Sequence, residues 1–257
     1  FFNSADEVAL AKRELIEALP PDGVAVLNAD DPLVSRFREV HRGCVVSFGF
    51  EESADVRPER VDYRPEGVRF VVDGVEFESV LVGRHGVMNV LAGIAVARVF
   101  GIPAGRLVDA VRAVEPGQMR GRRLVRRGIT IFDDCYNSNP EAVRSMLDVL
   151  RQAPARRRIA VLGEMLELGR FAEPLHRDVG RYVAACGMNV LVGIRGAARH
   201  LVEEAVRSGM PAGAAFFFED PAAAGVFLRR ALQEGDAVLF KGSRGTQVEK
   251  ALEGVVE

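Results

Sequence analysis

Apolar and polar positions change their period several times along this chain, and each change marks a different kind of element. Ser4-Ala5-Asp6-Glu7 has the S-x-x-E form of a capping box, in which hydroxyl and carboxylate satisfy the free N–H groups of a helix start. A helix is predicted from there to about Leu19, with Val8, Ala11, Leu15 and Leu19 as its buried stripe and Pro20-Pro21-Asp22-Gly23 as its stop. Val24-Ala25-Val26-Leu27 then reads as a buried strand. It ends at Asn28-Ala29-Asp30-Asp31-Pro32, a turn that starts the next helix, which is a strand-to-helix unit of an α/β sheet. Between positions 55 and 82 the pattern shortens to alternation, and Asp73-Gly74 between Val68-Arg69-Phe70-Val71-Val72 and Val75-Glu76-Phe77 predicts a hairpin. Helical spacing returns over 88–100, and Ile102-Pro103 opens a further helix to about Val114. Glu115-Pro116-Gly117-Gln118 then breaks the pattern, which divides the chain into domains 1–117 and 118–257.

Past that break, strands are predicted over 129–132, 159–162, 190–193, 215–218 and 237–240, with helical segments between them. Strands separated by helices imply right-handed crossovers and a mostly parallel sheet covered on both faces, so the second domain is expected to be Rossmann-like. Phe216-Phe217-Phe218 falls in the fourth of these strands and reads as part of a buried strand rather than a stacking platform.

Composition narrows the function classes. At roughly 100 to 200 residues per domain, 257 residues favour two domains. No apolar run approaches the roughly 20 residues of a membrane helix. A formal charge of −2 argues against a nucleic-acid partner. Cys44, Cys135 and Cys186 are odd in number and lack C-x-x-C spacing, which fits a reducing cytoplasm, and no secretory signal pattern opens the chain. It starts at Phe1 with a capped helix almost at once, as though an upstream part were missing. Only Lys12, Lys241 and Lys250 among the 34 basic residues are lysine. A lysine kept in so arginine-rich a chain points to a need for an amine, which can react or be carbamylated as guanidinium cannot.

The densest polar cluster is Asp133-Asp134-Cys135-Tyr136-Asn137-Ser138-Asn139-Pro140, between a predicted strand and a helix. Ligands of open parallel sheets bind at the carboxyl ends of strands. Carboxylates there suit a ribose or a metal, and a tyrosine ring suits a base. The alternative is an ordinary polar turn with Asn139 as helix N-cap.

This segment resembles the D-D-S-Y-N-A-N-P pattern of the Mur ligase family, in its D-alanyl-D-alanine-adding branch. Val161-Leu162-Gly163-Glu164-Met165-Leu166-Glu167-Leu168-Gly169 is similar to the branch's V-L-G-D-M-L-E-L-G, in the same order along the chain. His176, Lys241-Gly242-Ser243-Arg244 and Gly83-Arg84-His85 with Asn89 extend the likeness over nearly the whole chain. The resemblance implies a remnant of a central ATPase domain followed by a Rossmann-like C-terminal ligase domain. It implies ATP and Mg²⁺ as cofactors, UDP-muramoyl peptide and D-alanyl-D-alanine as substrates, and a cytoplasmic monomer.

The implied roles carry over residue by residue. Lys12, in Ala11-Lys12-Arg13-Glu14, matches the family lysine whose carbamate helps hold magnesium; the alternative is a lysine snorkelling from a helix edge. Asn89 matches an adenine contact, or is a polar residue on a packed helix. Arg122 resembles an arginine near the ATP phosphates, although Arg120 and Arg123 leave its register open. Asp134 is implied near the ribose and Tyr136 near the base, with Asn137 beside them. Lys241, Ser243 and Arg244 resemble substrate-binding positions, or form a Gly-Ser helix cap. His41 and His200 match nothing and read as surface residues.

Departures from the pattern bear on activity. The family's His-Asn pair is His85-Gly86, and Cys135 replaces a serine or alanine without creating a reactive thiol. No G-x-x-x-x-G-K-[ST] occurs, so the loop that cradles ATP phosphates is missing from this sequence. The expectation is a ligase whose present chain is inactive. The alternatives are a non-catalytic module binding adenosine or D-alanyl-D-alanine, or another Mur ligase or folylpolyglutamate-synthase-type enzyme. The chain has no Asp-Asn-Pro-Arg, which would mark the diaminopimelate- or lysine-adding branch, and no G-x-G-x-x-G after position 132, as a nicotinamide dehydrogenase would require.

Overall fold

The computed structural model describes residues 4–64 and 66–256. They fall into two compact units that divide between Glu115 and Pro116.

The first unit opens with helix α1 (Ala5–Glu17), where the Ser4 hydroxyl accepts from the Glu7 amide at 3.2 Å, as the capping box requires. The buried stripe differs from expectation. Leu15 is 73% exposed and Val8 and Ala11 are exposed, whereas Ala9, Ile16 and Leu19 pack against the small cluster of Ala25, Leu27 and Phe37. Both sets are helically spaced, so periodicity alone could not decide which face turns inward. Strand β1 (Val24–Asn28) pairs in parallel with β2 (Cys44–Phe48). Ala25 and Leu27 point to the α1 side, and Val26 packs into the unit's larger cluster, as alternation along a strand demands. The turn after β1 leads only to a short 3-10 segment, Ser35–Glu39, not to a full helix.

A three-stranded antiparallel meander follows, β3 (Arg60–Arg64), β4 (Gly67–Val72) and β5 (Val75–Ser79). Its second hairpin turns at Asp73 and Gly74, with φ of 52° and 71°, the left-handed pair that a two-residue turn needs. Helix α2 (Gly83–Val99) buries Val87, Val90, Leu91 and Ile94 against Val68, Phe70, Val72 and Phe77. The predicted helix after Pro103 resolves into a 3-10 turn, Ala104–Leu107, and the short α3 (Val108–Arg112).

The second unit is a six-stranded sheet in the order β10-β9-β8-β11-β7-β6. Its strands are β6 (Arg122–Arg126), β7 (Ile129–Asp134), β8 (Arg157–Gly163), β9 (Val190–Ile194), β10 (Ala215–Phe218) and β11 (Asp236–Lys241). All five predicted strands form and pair in parallel. The unpredicted β6 adds to β7 antiparallel; its Arg-Arg-Leu-Val-Arg composition carries little apolar signal, because an edge strand is largely solvated. Helices α7 (Pro221–Ala231) and α8 (Glu249–Val256) bury Ala224, Leu228, Ala251, Leu252 and Val255 against Ile131, Val161, Val192 and Val238. Helices α4 (Pro140–Gln152), α5 (Ala172–Ala185) and α6 (Ala198–Arg207) complete the helical layers, with α4 contacting β8 and β11 and α6 contacting β9 and β10. The expected α/β class and Rossmann-like sheet are therefore what the chain forms. Among the described residues no helix is long and apolar enough to cross a membrane.

Candidate functional site

The five parallel strands place their carboxyl ends along one edge of the second sheet, and side chains tie neighbouring tips together there. At the tip of β7 the chain leaves the sheet through Asp134, Cys135 and Tyr136. It re-enters helix α4 at Asn139, whose Oδ1 accepts from the Ala142 amide at 2.8 Å, with Pro140 at the first helical position. Asn139 is thus a cap, as its alternative reading held. Tyr136 stands 44% exposed, and the Arg120 guanidinium lies 4.1 Å from its ring centroid. The Tyr136 amide donates to the Met119 carbonyl at 3.1 Å, so the strand-leading segment and the turn are fastened together. Asn137 is exposed, with its Oδ1 accepting from the Ser138 amide at 2.8 Å.

Three acidic or thiol groups meet different surroundings here. Asp134 is partly buried, and its Oδ2 accepts from Lys241 Nζ at 2.6 Å. Asp133 is buried, and burial raises its carboxyl pKa above the usual range. Its Oδ1 and the Ser138 hydroxyl are buried polar atoms that lack a hydrogen-bond partner among the described residues. Burial, first of all, also pushes the Cys135 thiol far up, so the substituted cysteine is inert.

The neighbouring tips explain two further motifs. His176 is fully buried; its Nε2 accepts from the Met165 amide at 2.9 Å, and Nδ1 lies 2.6 Å from the Ala172 carbonyl. Burial lowers its pKa, and the neutral ring with its proton on Nδ1 satisfies both partners. Ser243 is buried, donating its amide to the Glu164 carbonyl at 3.4 Å and accepting from the Leu166 amide on Oγ at 3.0 Å. The Gly-Glu-Met-Leu and Lys-Gly-Ser segments therefore brace one another. Glycines at 163 and 242 permit the close approach: a Cβ on Gly242 would come within 2.5 Å of Val248 Cγ2 and 2.7 Å of Thr246 Oγ1. Arg244 is exposed, with a guanidinium nitrogen 3.3 Å from Met119 Sδ. Arg122 is exposed on β6, opposite Asp133 in register.

Of the residues singled out from sequence, Asp134, Tyr136, Asn137, Lys241, Ser243, Arg244 and Arg122 lie at or beside this edge. Lys241 and Ser243 are enclosed within it and make no approach to open solvent. The Arg120–Tyr136 stack and the Lys241–Asp134 pair were not anticipated; the first was foreshadowed only by the run of arginines at 120, 122 and 123.

Lys12 and Asn89 belong to the first unit, where both side chains are exposed. Among the described residues no group of three or more His, Cys, Asp or Glu is placed to hold a metal ion. A lone exposed lysine, even as a carbamate, supplies too few oxygen ligands to hold magnesium by itself. His41, expected on the surface, is partly buried with Nε2 2.9 Å from the Gly23 carbonyl, and partly buried His200 sits in the ionic cluster of Glu173, Arg177 and Glu203. The departure at Gly86 has a steric reason. A Cβ there would lie 2.9 Å from both the carbonyl carbon and Cβ of Leu81, so the family's asparagine does not fit this backbone.

Comparison with known proteins agrees along most of the chain. Residues 1–97 match the Mur ligase middle domain, and residues 119–244 match the domain described as "Mur ligase, glutamate ligase domain". A UDP-N-acetylmuramoyl-tripeptide–D-alanyl-D-alanine ligase of Mycobacterium tuberculosis is 32% identical over 94% of this chain and 52% of its own length. That of Escherichia coli is 27% identical over 100% of the chain and 57% of its own. A MurF crystal structure from Acinetobacter baumannii superposes with a TM-score of 0.88 at 25% identity, covering 99% of this chain and 56% of that one. MurF from Thermotoga maritima, solved in complex with ADP, shares the fold with a TM-score of 0.84 at 22% identity, over 99% of this chain and 58% of that one. The chain spans about half the length of the curated relatives it matches.

Proposed function

Because the chain belongs to the Mur ligase family, carrying its middle and C-terminal domains, we propose that it serves the ATP-dependent joining of D-alanyl-D-alanine to UDP-N-acetylmuramoyl-tripeptide in peptidoglycan precursor synthesis. The reading rests above all on the turn at the tip of β7, where a carboxylate and an exposed, arginine-stacked tyrosine stand together at the carboxyl edge of a parallel sheet. Such a turn suits a nucleoside: Asp134 offers an acceptor to ribose hydroxyls, Tyr136 a face to the base, and Asn137 a polar edge beside them.

ATP would supply the phosphoryl group that turns the tripeptide carboxylate into an acyl phosphate, which the amine of D-alanyl-D-alanine then attacks, releasing phosphate. In this scheme Arg122 faces phosphate oxygens, Asn89 the adenine, and Arg244 the carboxylate of the incoming dipeptide. Lys12 is the position at which a carbamate would form, and no step is derived through magnesium. The assignment carries with it a cytoplasmic, monomeric protein. The chain as it stands is proposed to be inactive, since a phosphate-cradling loop is absent from its sequence.

Titration of the purified chain with ADP, followed through backbone amide resonances, tests this. We expect shifts concentrated at residues 134–139, a dissociation constant on the order of 1 mM, and no ATP turnover above background. Turnover would contradict the inactive chain, and an unmoved turn would contradict the nucleotide reading. Binding of ADP or D-alanyl-D-alanine without turnover is also what a pure binding module would show, and restoration of ligation by a separately supplied phosphate-loop fragment decides between the two.

A further inference from the structure

The chain keeps three lysines, and the fold treats them differently. Lys12 and Lys250 are exposed, whereas Lys241, the last residue of β11, is 2% exposed. Taking an ammonium out of water is unfavourable unless its protons find acceptors. Here Nζ donates to Asp134 Oδ2 at 2.6 Å and to the Asn137 carbonyl at 2.8 Å. The strand register sets the first bond, since Lys241 lies directly opposite Asp134 across the β11–β7 pair. The second reaches over the turn, so one ammonium holds both the residue where the chain leaves the sheet and a carbonyl three residues on.

We propose that Lys241 is a positioning residue for the turn at 134–139 and does not itself contact the peptide substrate. Two details support this. Its ammonium is engaged inside the protein, on groups that belong to the turn. The space around it is also confined, with Gly242 and Gly163 packed against Val248 and Thr246. A compact, three-donor ammonium suits such a place, whereas a planar guanidinium needs more room and more acceptors. This accounts for a lysine at this position in a chain whose basic residues are mostly arginine. With Oδ2 held from within, Asp134 presents Oδ1 for a second donor, and Tyr136 is carried on a turn fixed at both ends. The functional half of the proposal rests on the nucleotide reading above; the structural half does not.

The test compares the full chain with K241M, and with the D134N/K241Q pair that removes both charges at once. Amide hydrogen exchange is read without ligand, and ADP and D-alanyl-D-alanine are titrated separately. In K241M we expect unchanged exchange in β8 and β9, faster exchange at 135–139 by about tenfold, ADP affinity lower by about tenfold, and D-alanyl-D-alanine binding as in the parent chain. Unchanged protection of the turn overturns the proposal, as does loss of D-alanyl-D-alanine binding with the turn intact. Should K241M not fold, the double variant decides on the same exchange measurement, and parent-like protection in it overturns the proposal. Absence of ADP binding by the parent chain would remove the nucleotide reading, while exchange at the turn would still judge Lys241.

Discussion

Two acidic turns in this chain occupy the same kind of place and direct their side chains in opposite ways. Each follows a parallel strand at its carboxyl end: Asn28-Ala29-Asp30-Asp31 after β1, and Asp133-Asp134-Cys135-Tyr136-Asn137 after β7. In the first, the polar side chains close on the fold itself. Asn28 Oδ1 accepts from the Asp30 amide at 3.0 Å. Asp30 Oδ1 accepts from Phe50 and Glu51 amides at 2.7 and 3.0 Å and Oδ2 from Arg84 at 2.7 Å. Asp31 Oδ1 accepts from the Leu33 and Val34 amides. In the second, the tyrosine and asparagine face outward, and a buried lysine steadies them from behind. Composition and position are alike in both; where each hydrogen bond ends is what separates a turn closed on the fold from one whose side chains stay open to solvent.

The contrast can be broken most forcefully at Asp30. An Asp30→Ala variant removes the acceptor of two backbone amides and releases the solvent-exposed Arg84 guanidinium, and should lose about 2 kcal/mol of stability in urea denaturation. Amide resonances of residues 134–139 should stay in place. A loss near zero would put Asp30 among groups free to bind and erase the distinction.

A smaller effect is expected from pH at His176. Burial lowers its pKa in the folded protein below the ordinary 6.5, so the unfolded chain takes up the proton more readily. The stability that the neutral ring contributes is therefore complete above pH 6.5 and is lost as pH falls through the folded value. Relative to the parent, His176→Gln should be less stable at neutral pH, and the gap should narrow on acidification. A gap that stays constant would show that His176 does not titrate between the two states.

The smallest change in stability belongs to Tyr136. Replacing this exposed ring by alanine should alter stability by no more than about 0.5 kcal/mol, while weakening ADP binding by about tenfold. Destabilisation as large as that of Asp30→Ala would make the second turn one closed on the fold too.

How much of this was readable beforehand follows the range of the interactions. The five parallel strands, the Asp73-Gly74 hairpin and the Ser4 cap depend on neighbours within a few residues, and their periodicity or turn chemistry announces them. The inward face of α1 did not, because apolar residues lie on both sides of that helix and only β1 and Phe37 choose between them. Nor did β6, whose arginines suit an edge. At the candidate site, the motif marked the segment that leaves the tip of β7 but not where its side chains and their partners end up. Lys241 lies 107 positions from Asp134, and Ser243 lies 77 from Leu166. No local pattern discloses that these two polar residues are turned inward as braces, while Arg122, Tyr136, Asn137 and Arg244 meet solvent.

The most direct test of the claim that the β7 turn faces a nucleotide is photolabelling with 2-azido-ADP followed by peptide mapping. The account predicts label on the peptide that contains Tyr136, displaced by unlabelled ADP. Label that ADP does not displace, or that falls on Ala215–Phe218 in place of the turn, would contradict it.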